Sequence, residues 1–183
     1  SNLVVEAEDN NFCLADLSFN HTLRESEFYF PMQSASALAL TNLLTDHRKA
    51  KLSPEQYVNP VQLPAYTKLK GMMHGFVDLI FTHNGKYYVC DYKSSYLGAH
   101  FNDYNQDNMR ENIEKNFYDL QYLIYSLALH RHLKFSLADY DVEQHFGGVY
   151  YMYLRGMTND ENYQGRGVYF QKISPAEIKC LND

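Results

Sequence analysis

A chain of 183 residues is long enough for one domain with a sizeable core. Its 45% hydrophobic and 15% aromatic content excludes an intrinsically disordered polymer, and its formal charge of −6 excludes a strongly basic nucleic-acid coat. No apolar run reaches the roughly 18 residues of a membrane span and no secretory leader is visible, so a cytoplasmic chain without a membrane partner is expected.

Residues 1–20 show no clear period. Leu23–Met32 alternates, turns apolar and stops at Pro31, which predicts a strand. Residues 34–48 carry Leu38, Leu40, Leu43 and Leu44 behind a Ser/Ala start, the spacing of a helix. Pro54, Pro60 and Pro64 make residues 51–69 read as a surface connection. Met72–His83 and Lys86–Lys93 then flank Asn84-Gly85, whose two positions tolerate positive φ, so an antiparallel hairpin is predicted. Residues 94–115 are rich in Asn, Asp and Gln and read as a long polar loop. A strong helix is expected over Asn116–Leu133, with Phe117, Leu120, Ile124 and Leu127 as its apolar stripe. Phe146–Leu154 reads as a strand, 156–167 as a loop and 167–173 as a last short strand. Ser174 to Glu177 has the capping-box pattern with Pro175 at the first helical position, so a short helix is expected there. Strands and helices that do not strictly alternate point to an α/β or α+β sheet covered by helices.

Charges interrupt the central hairpin. Asp78 lies on a strand whose two faces are otherwise apolar, and such a strand is buried on both sides. A carboxylate there is costly unless it is paired or binds a metal. A two-residue turn sets His83 against Lys86, and equal counting along both strands sets Asp78 against Asp91. Asp91 and Lys93 are two apart and share a face, so Asp78, Asp91 and Lys93 converge on one side of the sheet. Facing carboxylates repel and call for a cation between them. Mg²⁺ suits an oxygen site of one or two carboxylates, waters and substrate phosphate, and a lysine beside it can stabilise developing negative charge. Metal-assisted phosphodiester hydrolysis is the chemistry that suits this trio. The residues alone leave a structural Asp–Lys pair equally open.

Cys13, Cys90 and Cys180 are scattered and form no CxxC. They argue against a disulfide framework, a zinc knot or a four-cysteine iron–sulfur cluster, and fit a reducing compartment.

Asp78 followed by Asp91-Tyr92-Lys93 resembles the signature of the PD-(D/E)xK nucleases, with Val77 where the family name has proline. The blocks "GFVDLIF…NGKYYVCDYKSSYLG", "YDLQYLIYSLALHRHL" and "HFGGVYYMYLRGM" are more closely similar to the C-terminal nuclease domain of RecB-type helicase–nucleases, over about Glu25 to Phe170. The resemblance implies a restriction-endonuclease-like mixed β-sheet flanked by helices. It also implies an exodeoxyribonuclease V type, Mg²⁺-dependent DNA nuclease, working with RecC- and RecD-like subunits in repair and recombination. Asp78, Asp91 and the Tyr92 carbonyl would be metal ligands and Lys93 the catalytic lysine. Gln121 and Tyr125 match the family's Q-x-x-x-Y signature and would look into the site and toward DNA; four residues apart, they share a helix face. Glu25 and Glu27 match an acidic strand. RecB-type nucleases also take a histidine ligand from an upstream helix; His21 has no such context, and His74 stands where the family places no ligand. The expectation is therefore one nuclease domain over residues 1–183, a fragment of a larger subunit that lacks the first helix. A second reading is a non-catalytic interaction module for loading the RecA recombinase, to which an acidic surface is suited.

Overall fold

Asn84 and Gly85 both take positive φ, 49° and 76°, and close the hairpin on which the fold is built. The computed structural model describes residues 4–5, 12–13, 22–30, 36–52 and 61–179. Val4–Val5 (β1) and Phe12–Cys13 (β2) form a short antiparallel pair. The main sheet contains Thr22–Tyr29 (β3), His74–His83 (β4), Lys86–Lys93 (β5), Phe146–Tyr153 (β6) and Val168–Gln171 (β7), adjacent in that order. Its pairs are antiparallel except β5–β6, which is parallel, so the sheet is mixed as expected. A parallel step needs a long crossover. Here it is made by the helices Gln106–Asn116 (α3), Tyr118–Ser136 (α4) and Val142–His145 (α5).

The helix expected over 34–48 is Ala37–Lys49 (α1), started by Ser36, whose hydroxyl accepts from the Ala39 N–H at 3.1 Å. Met32, Pro31 and the N-terminal residues of that expected helix lie outside the described residues, as do His21 and Cys180. The last short strand is β7, and Pro175–Lys179 (α6) is the closing helix. Its capping box is complete: Ser174 N donates to Glu177 Oε2 at 2.8 Å, and Glu177 N to Ser174 Oγ at 3.3 Å.

Three expectations are corrected. Residues 66–69 are not a connection but the start of a helix, Tyr66–Met73 (α2), which buries Leu69, Met72 and Met73. Their three- and four-residue spacing is helical, and Pro64 lies outside the first turn, where it does no harm. Met72 and Met73 therefore belong to α2, and β4 starts at His74. The polar stretch 94–115 holds a 3₁₀ turn at Phe101–Tyr104 and most of α3. Asn105 caps α3 by accepting from Asn108 N at 3.0 Å, and only Met109 and Ile113 anchor it. Two apolar residues in eleven are too few to stand out as a periodic stripe. Finally, α4 is not amphipathic. Tyr122, Leu123, Tyr125, Leu129 and Leu133 are buried along with Leu120, Ile124 and Leu127. Between 119 and 130 the helix is buried on nearly every side, because α4 lies there between the sheet and the other helices, and its last turn reaches solvent.

The sheet has a core on each face. Val89, Val149, Tyr151 and Tyr153 pack under α4. On the other face Leu79, Phe81, Tyr88, Cys90, Tyr150 and Met152 form a second cluster. Gly148 is required where β6 passes β7: its φ is 138°, and a Cβ there would stand 2.7 Å from the Gln171 carbonyl oxygen.

The start of α4 is held by charge. Asp119 is 0% exposed and accepts from Arg48 Nε at 2.6 Å and Nη2 at 3.1 Å; the same Nη2 also reaches the Glu114 carbonyl at 2.8 Å. This locks α1 to the corner where Phe117, at φ 59°, ends α3 and opens α4. Asp119→Ala leaves the arginine without its counter-charge, and a loss of roughly 3–5 kcal/mol in unfolding free energy is expected. Urea denaturation checks this; a loss below about 1 kcal/mol, the range of a surface pair, would show that the bridge is dispensable.

Candidate active site

The hairpin register runs without a break from His83 opposite Lys86 to Leu79 opposite Cys90, and the next two residues are Asp78 and Asp91. Beyond that point the Tyr92 N–H turns to the Asp78 side chain and donates to Oδ2 at 2.8 Å. Asp91 is 5% exposed and Asp78 half-buried, on a strand flanked by β3 and β5. Lys93 forms an ion pair with Asp91. The Tyr92 side chain is partly exposed on the opposite face, so only its backbone belongs to the site.

From above, α4 supplies Gln121 and Tyr125. Gln121 Oε1 accepts from Lys93 Nζ at 3.1 Å, and Gln121 Nε2 donates to the Tyr125 hydroxyl at 2.8 Å. That hydroxyl points on to the Phe76 carbonyl at 3.4 Å. A lysine offers only donors, so the amide oxygen must face Lys93 and the amide nitrogen must face Tyr125. The two residues thus look into the site from one helix face, and their hydrogen bonds brace Lys93.

Electrostatics leave the site short of positive charge. Burial pushes the Asp91 carboxyl above its ordinary value, Lys93 pulls it back, and Asp78 pushes it up again by charge and by direct side-chain contact. The folded-state value lies above the unfolded one, so ionising Asp91 opposes folding: stability falls as pH rises from the unfolded value and levels off once pH has passed the folded value. Burial also raises the Tyr125 hydroxyl, with Asp91 and Asp78 adding to it, which keeps it a neutral hydrogen-bonding group. Two carboxylates with one ammonium call for a further cation. The donors present are all oxygens, which fits a hard divalent ion that completes its shell with water and phosphate. Among the described residues no cluster of three or more His, Cys, Asp and Glu side chains forms a closed metal cage.

Other acidic and histidine candidates have other partners. Glu27 is engaged by His74 at 2.9 Å across β3–β4, which accounts for that histidine as well. Glu25 is exposed and left-handed at φ 49°. His47 is held between Glu177 and Tyr122, and His130 meets the Tyr140 hydroxyl at 3.0 Å. Cys90 is a buried free thiol. Two residues escaped the sequence reading: Tyr118, first in α4, and Tyr151, which β6 sets opposite Asp91. Nothing in the spacing between Lys93 and a tyrosine-rich strand gives the parallel register that joins them.

Residues 7–177 match the model of the PD-(D/E)XK nuclease superfamily. The chain is 40% identical over 173 residues to RecBCD enzyme subunit RecB of Escherichia coli (strain K12), covering 93% of this chain and 14% of that protein. Against the subunit of the same name from Haemophilus influenzae it is 37% identical over 170 residues, 92% of this chain and 13% of the relative. The Borreliella burgdorferi subunit is 42% identical over 90 residues, 49% of this chain and 8% of the relative. The chain thus spans only a small part of the length of these curated relatives. It belongs to the PD-(D/E)XK nuclease superfamily.

Removing the Asp78 charge takes away one cause of the raised Asp91 carboxyl. In metal-free Asp78→Asn, Asp91 is expected to titrate lower than in wild type, read by carboxyl ¹³C NMR. An unchanged or higher value would mean that the two carboxylates do not share a site.

Proposed function

We propose that this superfamily member is a Mg²⁺-dependent DNA nuclease domain that hydrolyses phosphodiesters within a RecBCD-type helicase–nuclease of double-strand-break repair. The observation that carries the reading is the convergence of Asp78, Asp91 and Lys93 under α4, with an excess of negative charge that a divalent ion balances. The names of the relatives support the setting: each is a RecB subunit of a RecBCD enzyme.

In this reading residues 1–183 serve as one nuclease domain. Asp78, Asp91 and the Tyr92 carbonyl hold the metal ion, and the backbone N–H of Tyr92 orients Asp78 for that task. When bound, the ion polarises the phosphodiester and makes a coordinated water more acidic. Lys93 donates to the attacking water or to the charge that builds on the phosphate oxygens. Gln121 holds Lys93 at that position, and Tyr125 holds Gln121 in its productive orientation. DNA passes over the mouth of this site on the α4 side. RecC- and RecD-like subunits, and a RecA-type recombinase, are the protein partners that follow from the setting.

The test uses the intact helicase–nuclease subunit that carries this chain. Lys93→Ala and Asp91→Ala are expected to lower Mg²⁺-dependent DNA cleavage by about 10²–10³-fold or more, while DNA unwinding continues. Cleavage at the wild-type rate in either variant would place the hydrolytic site elsewhere.

A further inference from the structure

Lys93 is held in two ways that differ in their chemistry. The first is the ion pair with Asp91. The second is a box of neutral groups. The Tyr118 ring centre lies 4.0 Å from Nζ and the Tyr151 ring centre 4.7 Å, while Gln121 Oε1 accepts at 3.1 Å. The walls of the box are fixed to each other. The two tyrosine rings meet edge to face, with centroids 5.9 Å apart and planes at 88°. The Tyr151 hydroxyl lies 2.8 Å from Gln121 Oε1 and 3.0 Å from the Tyr118 carbonyl, and the two acceptors share its single proton. Tyr151 itself is 0% exposed on a strand buried at every position.

The chemical difference between the two holds matters. Asp91 would be a metal ligand in the proposed nuclease, and a carboxylate shared with a divalent cation attracts an ammonium less. A lysine tied to Asp91 alone would loosen at the moment it is needed. Aromatic faces and a carboxamide bind an ammonium without its charge being cancelled, and a divalent ion of the Mg²⁺ type keeps to oxygen ligands and its own waters. The low exposure of the Lys93 side chain, 11%, strengthens the ring contacts by excluding water.

We propose that Tyr118 and Tyr151 are positioning residues that keep the Lys93 ammonium aimed into the site once Asp91 is engaged by metal. The proposal rests on the nuclease reading for its function, but its geometry can be tested without activity. Tyr118 is the residue to vary, because it is only half-buried and leucine can occupy its place.

In this chain carrying ¹³C-lysine, the Lys93 methylene beside Nζ is expected to resonate upfield of the other lysines through the ring currents, with Lys93→Met identifying the signal. Asp91→Asn imitates a carboxylate whose charge is already taken. The shift is expected to persist there, to collapse in Tyr118→Leu, and to return in Tyr118→Phe. In the intact subunit, Tyr118→Leu is expected to lower kcat for DNA cleavage about tenfold with KM unchanged, and Tyr118→Phe to rescue it. Collapse of the shift in Asp91→Asn would overturn the proposal. So would wild-type kcat in Tyr118→Leu, and in that case wild-type cleavage would leave the nuclease reading standing. A wild-type subunit that cuts no DNA would overturn the nuclease reading, and with it the role given to the box.

Discussion

Two carboxylates and one ammonium share a face of the sheet, and much of the architecture serves to hold them there. In a partly dry site that imbalance is unfavourable: burial and the neighbouring Asp78 both push the Asp91 carboxyl up, and Lys93 offsets only part of it. One ammonium balances one carboxylate, so a protein that only had to fold would gain by carrying a neutral acceptor for the Tyr92 N–H in place of Asp78. Keeping both is understandable if a cation arrives to complete the balance, and the tight Asn84-Gly85 turn keeps the two strands in the register that makes them meet.

The remainder of the structure fixes α4 over that face. The buried Arg48–Asp119 pair anchors the first turn of α4 through α1, and the left-handed Phe117 sets its angle against α3. Once α4 is placed, Tyr118, Gln121 and Tyr125 follow at helical spacing and descend on Lys93 from above. From the side, β6 delivers Tyr151 through its parallel pairing with β5. A hairpin, a buried helix and a crossover strand thus supply the site, and no single element contains it.

The hairpin was legible in the sequence because its determinants are local: a turn dipeptide, strand alternation and equal counting on either side. That logic reached Asp78, Asp91 and Lys93 with their shared face. The facing of Gln121 and Tyr125 followed from helical spacing once a family resemblance singled them out. Long-range pairing was not legible. The β5–β6 register depends on how a crossover of about fifty residues packs, so Tyr151 could not be assigned to Lys93. Helix α3 was hidden by its polar composition, since its two anchors count only because a core exists to receive them. The burial of α4 beyond its one stripe over 119–130 was missed for a related reason. Tyrosines read as amphipathic at the level of sequence, yet Tyr122 and Tyr125 are both buried with their hydroxyls hydrogen-bonded.

The central claim is that a divalent ion binds between Asp78 and Asp91. Affinity cleavage addresses it most directly: Fe²⁺ replaces Mg²⁺, and ascorbate with peroxide generates radicals that cut the polypeptide next to the bound ion. The account predicts peptide breaks beside Asp78 and beside Asp91–Lys93 that excess Mg²⁺ suppresses. Breaks confined to other parts of the chain, or breaks at these positions that Mg²⁺ does not suppress, would contradict it.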